Sequence, residues 1–495
     1  MIFNTFKNIN LIIPELFLGT SILVLILYGS AILTKKKKHH HLFIRSIQNL
    51  AILTLLLEIM FLFNDPISVE VSAFNQTILK DSLSSTTKMI ILISSLFCLL
   101  ISQNYINHQK LNNFEYIIIT LLAILGLILL CSSNDLITVY LAIELQSLAF
   151  YLLAGFKKNS IFSTESGLKY FIIGSFSSGF LLFGFSILYG LCGFTNFEDF
   201  STFMVNNHLN ENLNLLNVAL TFILTSIFFK LSAAPFHLWS PDIYEGSPSN
   251  STIFFAVVPK ISILVALIRI FQHSFYESML FLNDYITVIA ILSIFVGSLA
   301  ALKQRKVKSL LAYSSISHVG YLLLAFSAYT SQGTQALLFY IIVYILTSIC
   351  IWSIFLCTTS VKYYLTKVSK QLSDFTFLSV VNPSLGLTFT VAILSLAGIP
   401  PLIGFYAKAI IFLSAFDAYL YVSAVVGILI SVISTFYYLR MIKVVYFEKL
   451  YFLRLYLPVS YETAILTSSI FISFLFLFLN PNLITLLCYK MSLFL

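Results

Sequence analysis

Apolar stretches of about 20 residues recur along the whole chain, separated by short polar connections. LIIPELFLGTSILVLILYGSAIL (11–33) and FEYIIITLLAILGLILLC (114–131) are two of them. A helix of that length spans the roughly 30 Å hydrocarbon core of a bilayer. Inside that core every backbone polar group must find its partner within the chain, which leaves helices as the natural spanning element. Composition agrees: of 495 residues 59% are hydrophobic and only 10% charged, too few charges to cover a soluble protein of this size. The expected fold is an all-α polytopic membrane protein with about 14 transmembrane helices. They are expected near 11–33, 43–63, 88–105, 115–132, 134–155, 166–191, 214–237, 250–272, 285–302, 307–328, 333–358, 382–414, 418–445 and 460–480. The apolar tail 482–495 is too short to cross and is expected along the interface or against a neighbour. The first apolar run is too long for the core of a signal peptide and is read as a retained first span.

The distribution of basic residues tests this count. With the N-terminus outside, the inner connections hold Lys35, Lys36, Lys37, Lys38, Arg45, Lys110, Lys157, Lys158, Lys169, Lys303, Arg305, Lys306, Lys308, Lys362, Lys367, Lys370, Arg440, Lys443, Lys449 and Arg454. The outer side holds only Lys7, Lys80, Lys88, Arg269 and Lys490. A bias of 20 to 5 fixes the predicted orientation, because one span too many in mid-chain would scramble it. The net charge of +8 therefore reads as membrane topology rather than as a nucleic-acid surface; no Lys/Arg stripe alternates with exposed aromatics. The six cysteines form no CxxC and no Cys/His pair at metal-ligand spacing, so buried, inert thiols are expected, and no iron–sulfur or haem site.

Three of the 28 basic residues fall in neither group: Lys230, Lys260 and Lys408 each lie inside a predicted span. Insertion of such a charge at a helix centre costs about 2.5–3.5 kcal/mol. The acids expected at comparable depth are Glu144, in ITVYLAIELQSLAFYLL, and Glu58, in LTLLLEIMFLF. Glu144 and Lys230 are a candidate ion pair. A buried amine is pulled toward its neutral form by desolvation and toward its charged form by an acid, and a site balanced between the two can switch when a nearby charge moves. A fixed pair that sets helix register is the alternative. Glu58 lies nearer a helix end without an obvious partner and is expected to be structural. His318, in AYSSISHVGYLLL among three serines, is a candidate proton carrier, with a satisfied core histidine as the alternative. His237 is deep as well, and His39–His41 extend a basic loop.

FKLSAAPFHLW (229–239) and LSLAGIPPLIGFYAK (394–408) each place small residues and proline inside an apolar helix beside a lysine. Breaks at matching positions predict two inverted five-helix repeats. The expected division is an N-terminal three-helix segment (1–110), a first repeat (111–275), a second repeat (276–450), and a C-terminal helix with its tail (451–495).

At these residues the sequence resembles the antiporter-like membrane subunits of respiratory NADH:quinone oxidoreductase, complex I. LAIELQSLAFYLLAGFKK, STESGLKYFIIGSFSSGFLLFGFSILYG, APFHLWSPDIYEGSP, VKSLLAYSSISHVGY and LAGIPPLIGFYAK carry the resemblance, which runs over nearly the whole chain. DIYEGSP and the GLKYF stretch are similar to the subunit 2 branch. The resemblance implies a proton-translocating subunit without isolated enzymatic activity. Glu144 and Lys230 would then be the modulating pair, Lys260 the central relay, His318 the connection and Lys408 the terminal relay. It implies that NADH, FMN, iron–sulfur clusters and ubiquinone bind other subunits, with no cofactor on this chain. The implied neighbours are the antiporter-like subunit 4, the small subunits toward the quinone site, and lipid. The mitochondrial inner membrane is the implied location, a bacterial inner membrane the alternative. Rival readings are a stand-alone cation/proton antiporter subunit, a homologous plastid or cyanobacterial subunit, and a non-conducting scaffold.

Overall fold

The computed structural model describes residues 9, 11–33, 40–64, 70–108, 114–206, 213–362, 365–368, 370–376, 378–448, 455–456 and 459–493. Lys7, Lys35–Lys38, Lys110, Lys449 and Arg454, which entered the charge bias, lie outside the described residues, as does His39.

Thirteen helices among the described residues are long and apolar enough to cross a membrane. A fourteenth crossing is split in two. In chain order the helices are α1 (Ile13–Leu33), α2 (His40–Asn64), α3 (Ser82–His108), α4 (Glu115–Ser132), α5 (Leu136–Ala154), α6 (Ile161–Cys192) and the short α7 (Phe197–Asn206). There follow α8 (Leu213–Leu231), the short α9 (Trp239–Gly246), α10 (Ser249–Ile268) continued by a π-helical stretch at Arg269–Ser274, α11 (Met279–Lys303), α12 (Val307–Ser327) and α13 (Ser331–Cys357). Then come the split pair α14 (Pro383–Ala397) and α15 (Ile403–Asp417), α16 (Tyr421–Tyr446), α17 (Tyr461–Leu479) and α18 (Asn482–Ser492). The expected fourteen crossings are present. Small antiparallel pairings lie in the connections, Val71–Ala73 with Ile78–Lys80 and Thr359–Lys362 with Leu365–Val368 and Leu455–Tyr456. They are too short for an alternating pattern to show in the sequence.

Burial sorts the helices. All twenty residues of α10 are buried, and α12 and α13 are buried nearly throughout. By contrast α1 and α2 bury only a third of their apolar surface windows and expose residues such as Leu27 and Phe63. A helix apolar on all sides belongs in a protein interior or in lipid, and both kinds occur here. Lys260 and His318 thus sit on two of the most enclosed helices. Close approach between α11 and α12 depends on small residues: a Cβ on Gly297 would lie 2.6 Å from the Ser317 backbone nitrogen, and one on Gly320 2.2 Å from Ser293 Oγ.

Two expectations about ends are corrected. The third helix begins at Ser82, not near 88, because the Asp81 carboxylate accepts from Ser84 N at 2.7 Å and caps it. Lys88, counted above on the outer side, is therefore inside a span, and its side chain and that of Glu15 form a buried ion pair. Arg269 is likewise buried, with Nη2 2.8 Å from both Asp81 carboxylate oxygens, tying α10 to the head of α3. The tail forms α18, docked on the chain's own α3 and α13; Ser82 Oγ donates to Lys490 O at 3.0 Å and Gln335 Nε2 to Ser492 Oγ at 3.0 Å.

Both predicted breaks are present. α8 stops at Leu231, and Ser232 takes a left-handed φ of 61°. The Trp239 indole N–H then donates at 3.0 Å to Phe229 O, a carbonyl of the last turn that also accepts from Ser232 N at 3.1 Å. α14 stops at Ala397, with Gly398 at φ 80° donating to Leu394 O, the left-handed C-terminal cap that glycine favours.

Candidate proton relay

The buried charges are held differently along the molecule. On α5, Glu144, Ser147 and Tyr151 occupy one face at helical spacing. The Ser147 hydroxyl donates to Glu144 Oε2 at 3.4 Å, and Lys230 Nζ donates to the Tyr151 hydroxyl at 3.5 Å. Glu144 and Lys230 do not form the direct ion pair expected from the sequence. The phenol of Tyr151 reaches the lysine instead, with Nζ 5.9 Å from its ring centre. The acid stays within electrostatic reach of the amine. Both side chains are partly exposed, and Glu144 Oε1 has no hydrogen-bond partner. The physical reason is register: Tyr151 lies two turns beyond Glu144 on the same face and fills the gap that a carboxylate would have to cross.

Deeper in, Lys260 Nζ donates to the Tyr344 hydroxyl at 2.9 Å and lies 4.6 Å from that ring's centre. Its own helix contains Pro259, so the turn carrying the lysine lacks one backbone donor. His318 is gripped on both ring nitrogens, Nδ1 2.6 Å from the Tyr340 hydroxyl and Nε2 2.9 Å from the Tyr438 hydroxyl. Its ring centre is 5.2 Å from that of Tyr344. Lys260 and Lys408 both act electrostatically on His318. Lys408 Nζ donates to Ala397 O at 2.8 Å, the last carbonyl of α14, and lies 5.3 Å from the Tyr321 ring centre. His318, Tyr340, Tyr344, Ser395 and Lys408 line one small cavity.

The structure thus brings Lys260, His318 and Lys408 into one neighbourhood and leaves Lys230 with Glu144 in another. Among the described residues no hydrogen bond links the side chains of Lys230 and Lys260; a separate small cavity at Lys230 is lined by Ile263 and Ala266 of the lysine-bearing α10 and by Ile270 of its π-helical continuation. His237 stands at the first break with Nδ1 unpartnered. Among the described residues no group of three His, Cys, Asp or Glu could hold a metal ion.

Sequence reasoning missed the tyrosines. Tyr151, Tyr340, Tyr344 and Tyr438 supply every side-chain hydroxyl that contacts the relay amines and the imidazole. With 27 tyrosines spread through the chain, nothing in their pattern singled these out. It also passed over the acids in DIYEGSP. Asp242 pairs with Lys169 at 3.2 Å, Glu245 pairs with Lys306 and accepts from Ser309 Oγ at 3.2 Å, and Ser247 O accepts from Lys308 Nζ at 2.8 Å. These acids collect basic residues at the end predicted to face inward, at the foot of α12. Just beyond, the buried Tyr244 on α9 and Tyr344 both lie near Ser315, whose own hydroxyl donates to Ala312 O at 2.7 Å. Hydroxyls therefore lead from that end toward Lys260.

An enclosed line of amines, imidazole and phenols between broken helices, in a bundle of fourteen crossings, defines an antiporter-like membrane subunit. Residues 133–434 match the family described as NADH:quinone oxidoreductase/Mrp antiporter, TM. NADH-ubiquinone oxidoreductase chain 2 of Marchantia polymorpha is 38% identical over 484 residues, covering 97% of each chain. NADH-quinone oxidoreductase subunit N of Pelagibacter ubique (strain HTCC1062) is 39% identical over 446 residues, 89% of this chain and 90% of that one. A chain of respiratory complex I from Thermus thermophilus with bound aureothin superposes with a TM-score of 0.79 at 27% identity, over 95% of this chain and 98% of that one. The chain belongs to the chain 2/subunit N family of NADH:quinone oxidoreductase, and it is a multi-pass membrane protein built as part of a multi-subunit membrane complex.

Proposed function

We propose that the chain carries protons across the membrane through Glu144, Lys230, Lys260, His318 and Lys408, as the antiporter-like subunit of the membrane arm of NADH:ubiquinone oxidoreductase. The observation that carries this reading is the shared neighbourhood of Lys260, His318 and Lys408, bridged by phenols and a cavity. A scaffold would have no need of three titratable groups in apolar helices, each of them expensive to bury. Identity to oxidoreductase subunits over nearly the full length favours the oxidoreductase over a stand-alone cation/proton antiporter.

In this reading a charge displaced in a neighbouring subunit acts on the partly exposed Glu144. Its change of position or charge alters the field at Lys230, which takes up or gives up a proton. That step drives transfer through Lys260 and Tyr344 to His318, then to Lys408, whose carbonyl partner at the α14 end holds the ammonium until release. Segment 1–110 packs beside two repeats, 111–275 and 276–450, and 451–495 closes the bundle. The matched stretch 133–434 falls within the two proposed repeats. Subunit 4 and the small subunits toward the quinone site are the proposed neighbours. NADH, FMN, iron–sulfur clusters and ubiquinone belong to other subunits, and the mitochondrial inner membrane is the proposed location.

Native electrophoresis of gently solubilised membranes, stained for NADH dehydrogenase activity, tests the assembly, with the chain located by mass spectrometry. Co-migration with a very large NADH-oxidising band is expected. Migration alone or with a few small membrane proteins would overturn it. In the assembled complex, Lys260→Met should abolish NADH-driven proton uptake into sealed vesicles; undiminished uptake would sink the relay.

A further inference from the structure

The three N-terminal helices hold a second group of buried charges, outside the stretch that matches the antiporter family. Glu15 on α1 and Lys88 on α3 form an ion pair with side chains only 5% and 6% exposed. Glu58 on α2 is 0% exposed, and neither of its carboxyl oxygens has a hydrogen-bond partner. It lies close enough to both members of the pair to interact with them electrostatically. Glu58 is six residues from the end of α2 and Lys88 six from the start of α3. Each is thus roughly 9 Å along its helix from the same end of the bundle.

Charge counting defines the difficulty. Glu15 and Lys88 cancel, which leaves Glu58 without a counter-ion in apolar surroundings. An isolated carboxylate there is among the most costly groups a membrane protein can hold. The groups near the cluster are Glu15 from α1, Lys88 from α3, the Cys131 thiol from α4, and beyond it Arg269 with Asp81. Arg269 is already paired with Asp81, so it leaves no positive charge over for Glu58. A metal cation is a poor match, since no group of three ligating side chains forms a metal site among the described residues.

We propose that Glu58, Glu15 and Lys88 form a proton-binding site in the three-helix segment, with the proton carried on Glu58 and the ammonium paired with Glu15. The ligand is a proton alone. The site is separate from the relay and does not depend on it. Its position near the Asp81–Arg269 pair places it beside the junction where α3 meets α10.

The test is infrared spectroscopy of the intact, assembled complex, reading protonated carboxyl groups by their C=O stretch. Native complex minus the Glu58→Gln complex should show one protonated carboxyl lost. Glu15→Gln should remove the same band, because Lys88 is then left with Glu58 as its only acid and holds it ionised. Lys88→Met should keep the band. No difference between native and Glu58→Gln would show that Glu58 is ionised and would overturn the proposal. Retention of the band in Glu15→Gln would overturn the shared cluster. Failure of Glu58→Gln to assemble would also count against it, since glutamine reproduces the shape and neutrality of the protonated acid. NADH-driven pumping by native complex, measured alongside, reports on the relay separately from this band.

Discussion

The two helix breaks use the same devices and end up wired differently. Each interrupts an apolar helix at small residues and proline, and each stands beside a lysine. At the second, Lys408 is buried and clamped to the terminal carbonyl of its own broken helix at 2.8 Å. At the first, Trp239 and the Ser232 N–H share the Phe229 carbonyl, and Lys230 is left with a 3.5 Å contact to a phenol and an acid it does not touch. The first lysine is loosely held and the second tightly, which in the proposed relay makes the first the adjustable one.

The sharpest way to break this comparison is to remove each lysine in turn. Lys230→Ala should leave the complex assembled while proton-linked turnover falls by about 100-fold or more, the scale of a lost proton-transfer group. Lys230→Arg should not rescue it, because a guanidinium does not release its proton. Lys408→Ala should also stop pumping, but it strands the Ala397 carbonyl in the interior, at about 1–3 kcal/mol. Thermal inactivation of the assembled complex should therefore be earlier for the Lys408 variant than for the Lys230 variant. Equal thermal profiles would erase the distinction between a moving and a clamped lysine.

Packing around the second break gives the next largest effect. A Cβ on Gly404 would lie 1.8 Å from the Ser395 carbonyl oxygen, a backbone atom that cannot swing away. Gly404→Ala should destabilise by about 3 kcal/mol or more and reduce accumulation of the complex on native gels. Normal accumulation would mean that the two halves of the split helix are not pinned together there.

The phenols sharpen the contrast at smaller scale. Tyr344→Phe removes a 2.9 Å bond to Lys260, an interaction with a charged donor worth about 1.5–3 kcal/mol, and should slow proton-linked turnover by roughly tenfold or more. Tyr151→Phe removes only a 3.5 Å contact to Lys230 and should slow turnover by about twofold. The ratio of the two, measured as NADH-driven proton uptake in vesicles, is the quantity to read. A larger effect at Tyr151 would mean that the first break is held as tightly as the second.

Much of this was legible in the sequence, for reasons that follow from the physics of the bilayer. Apolar run length yields the crossings, and a lysine in such a run is expensive enough that its presence marks a site. Lys230, Lys260 and Lys408 stand out this way as candidates, His318 through its place among serines inside a span, and the pair of breaks through proline and small residues. The same reasoning failed where the signal depends on exact helix ends. Lys88 sits six residues inside α3 because Asp81 caps a helix that hydropathy alone starts too late. Lys88 thus reads from the sequence as an outer-side charge and Glu15 passes without notice, so Glu58 loses the neighbours that give it meaning. The Glu144–Lys230 pair failed for a different reason. Two charges on adjacent helices can be assigned to the same depth from sequence, but the ring that stands beside one of them belongs to the packing.

The smallest expected effect concerns the residues that turn the chain. Gly398 takes φ 80°, and a Cβ there would lie 2.8 Å from Lys408 Cδ. Gly398→Ala should therefore cost about 1–2 kcal/mol from the left-handed backbone, with a further contribution from displacing the lysine stem. Ser232 makes the corresponding turn at φ 61° with a side chain already in place. Glycine adopts that conformation without the steric penalty but loses more entropy on folding, and the two terms oppose each other. Ser232→Gly should therefore shift thermal stability by less than about 1 kcal/mol. The asymmetry follows from the turning residues: at the second break the lysine stem lies against Gly398, where a side chain would collide with it, whereas Ser232 already carries a side chain at the first. A penalty at Ser232→Gly as large as that at Gly398→Ala would mean that the first turn, too, is fixed by its side-chain surroundings, and the reading of that break as the adjustable one would fall.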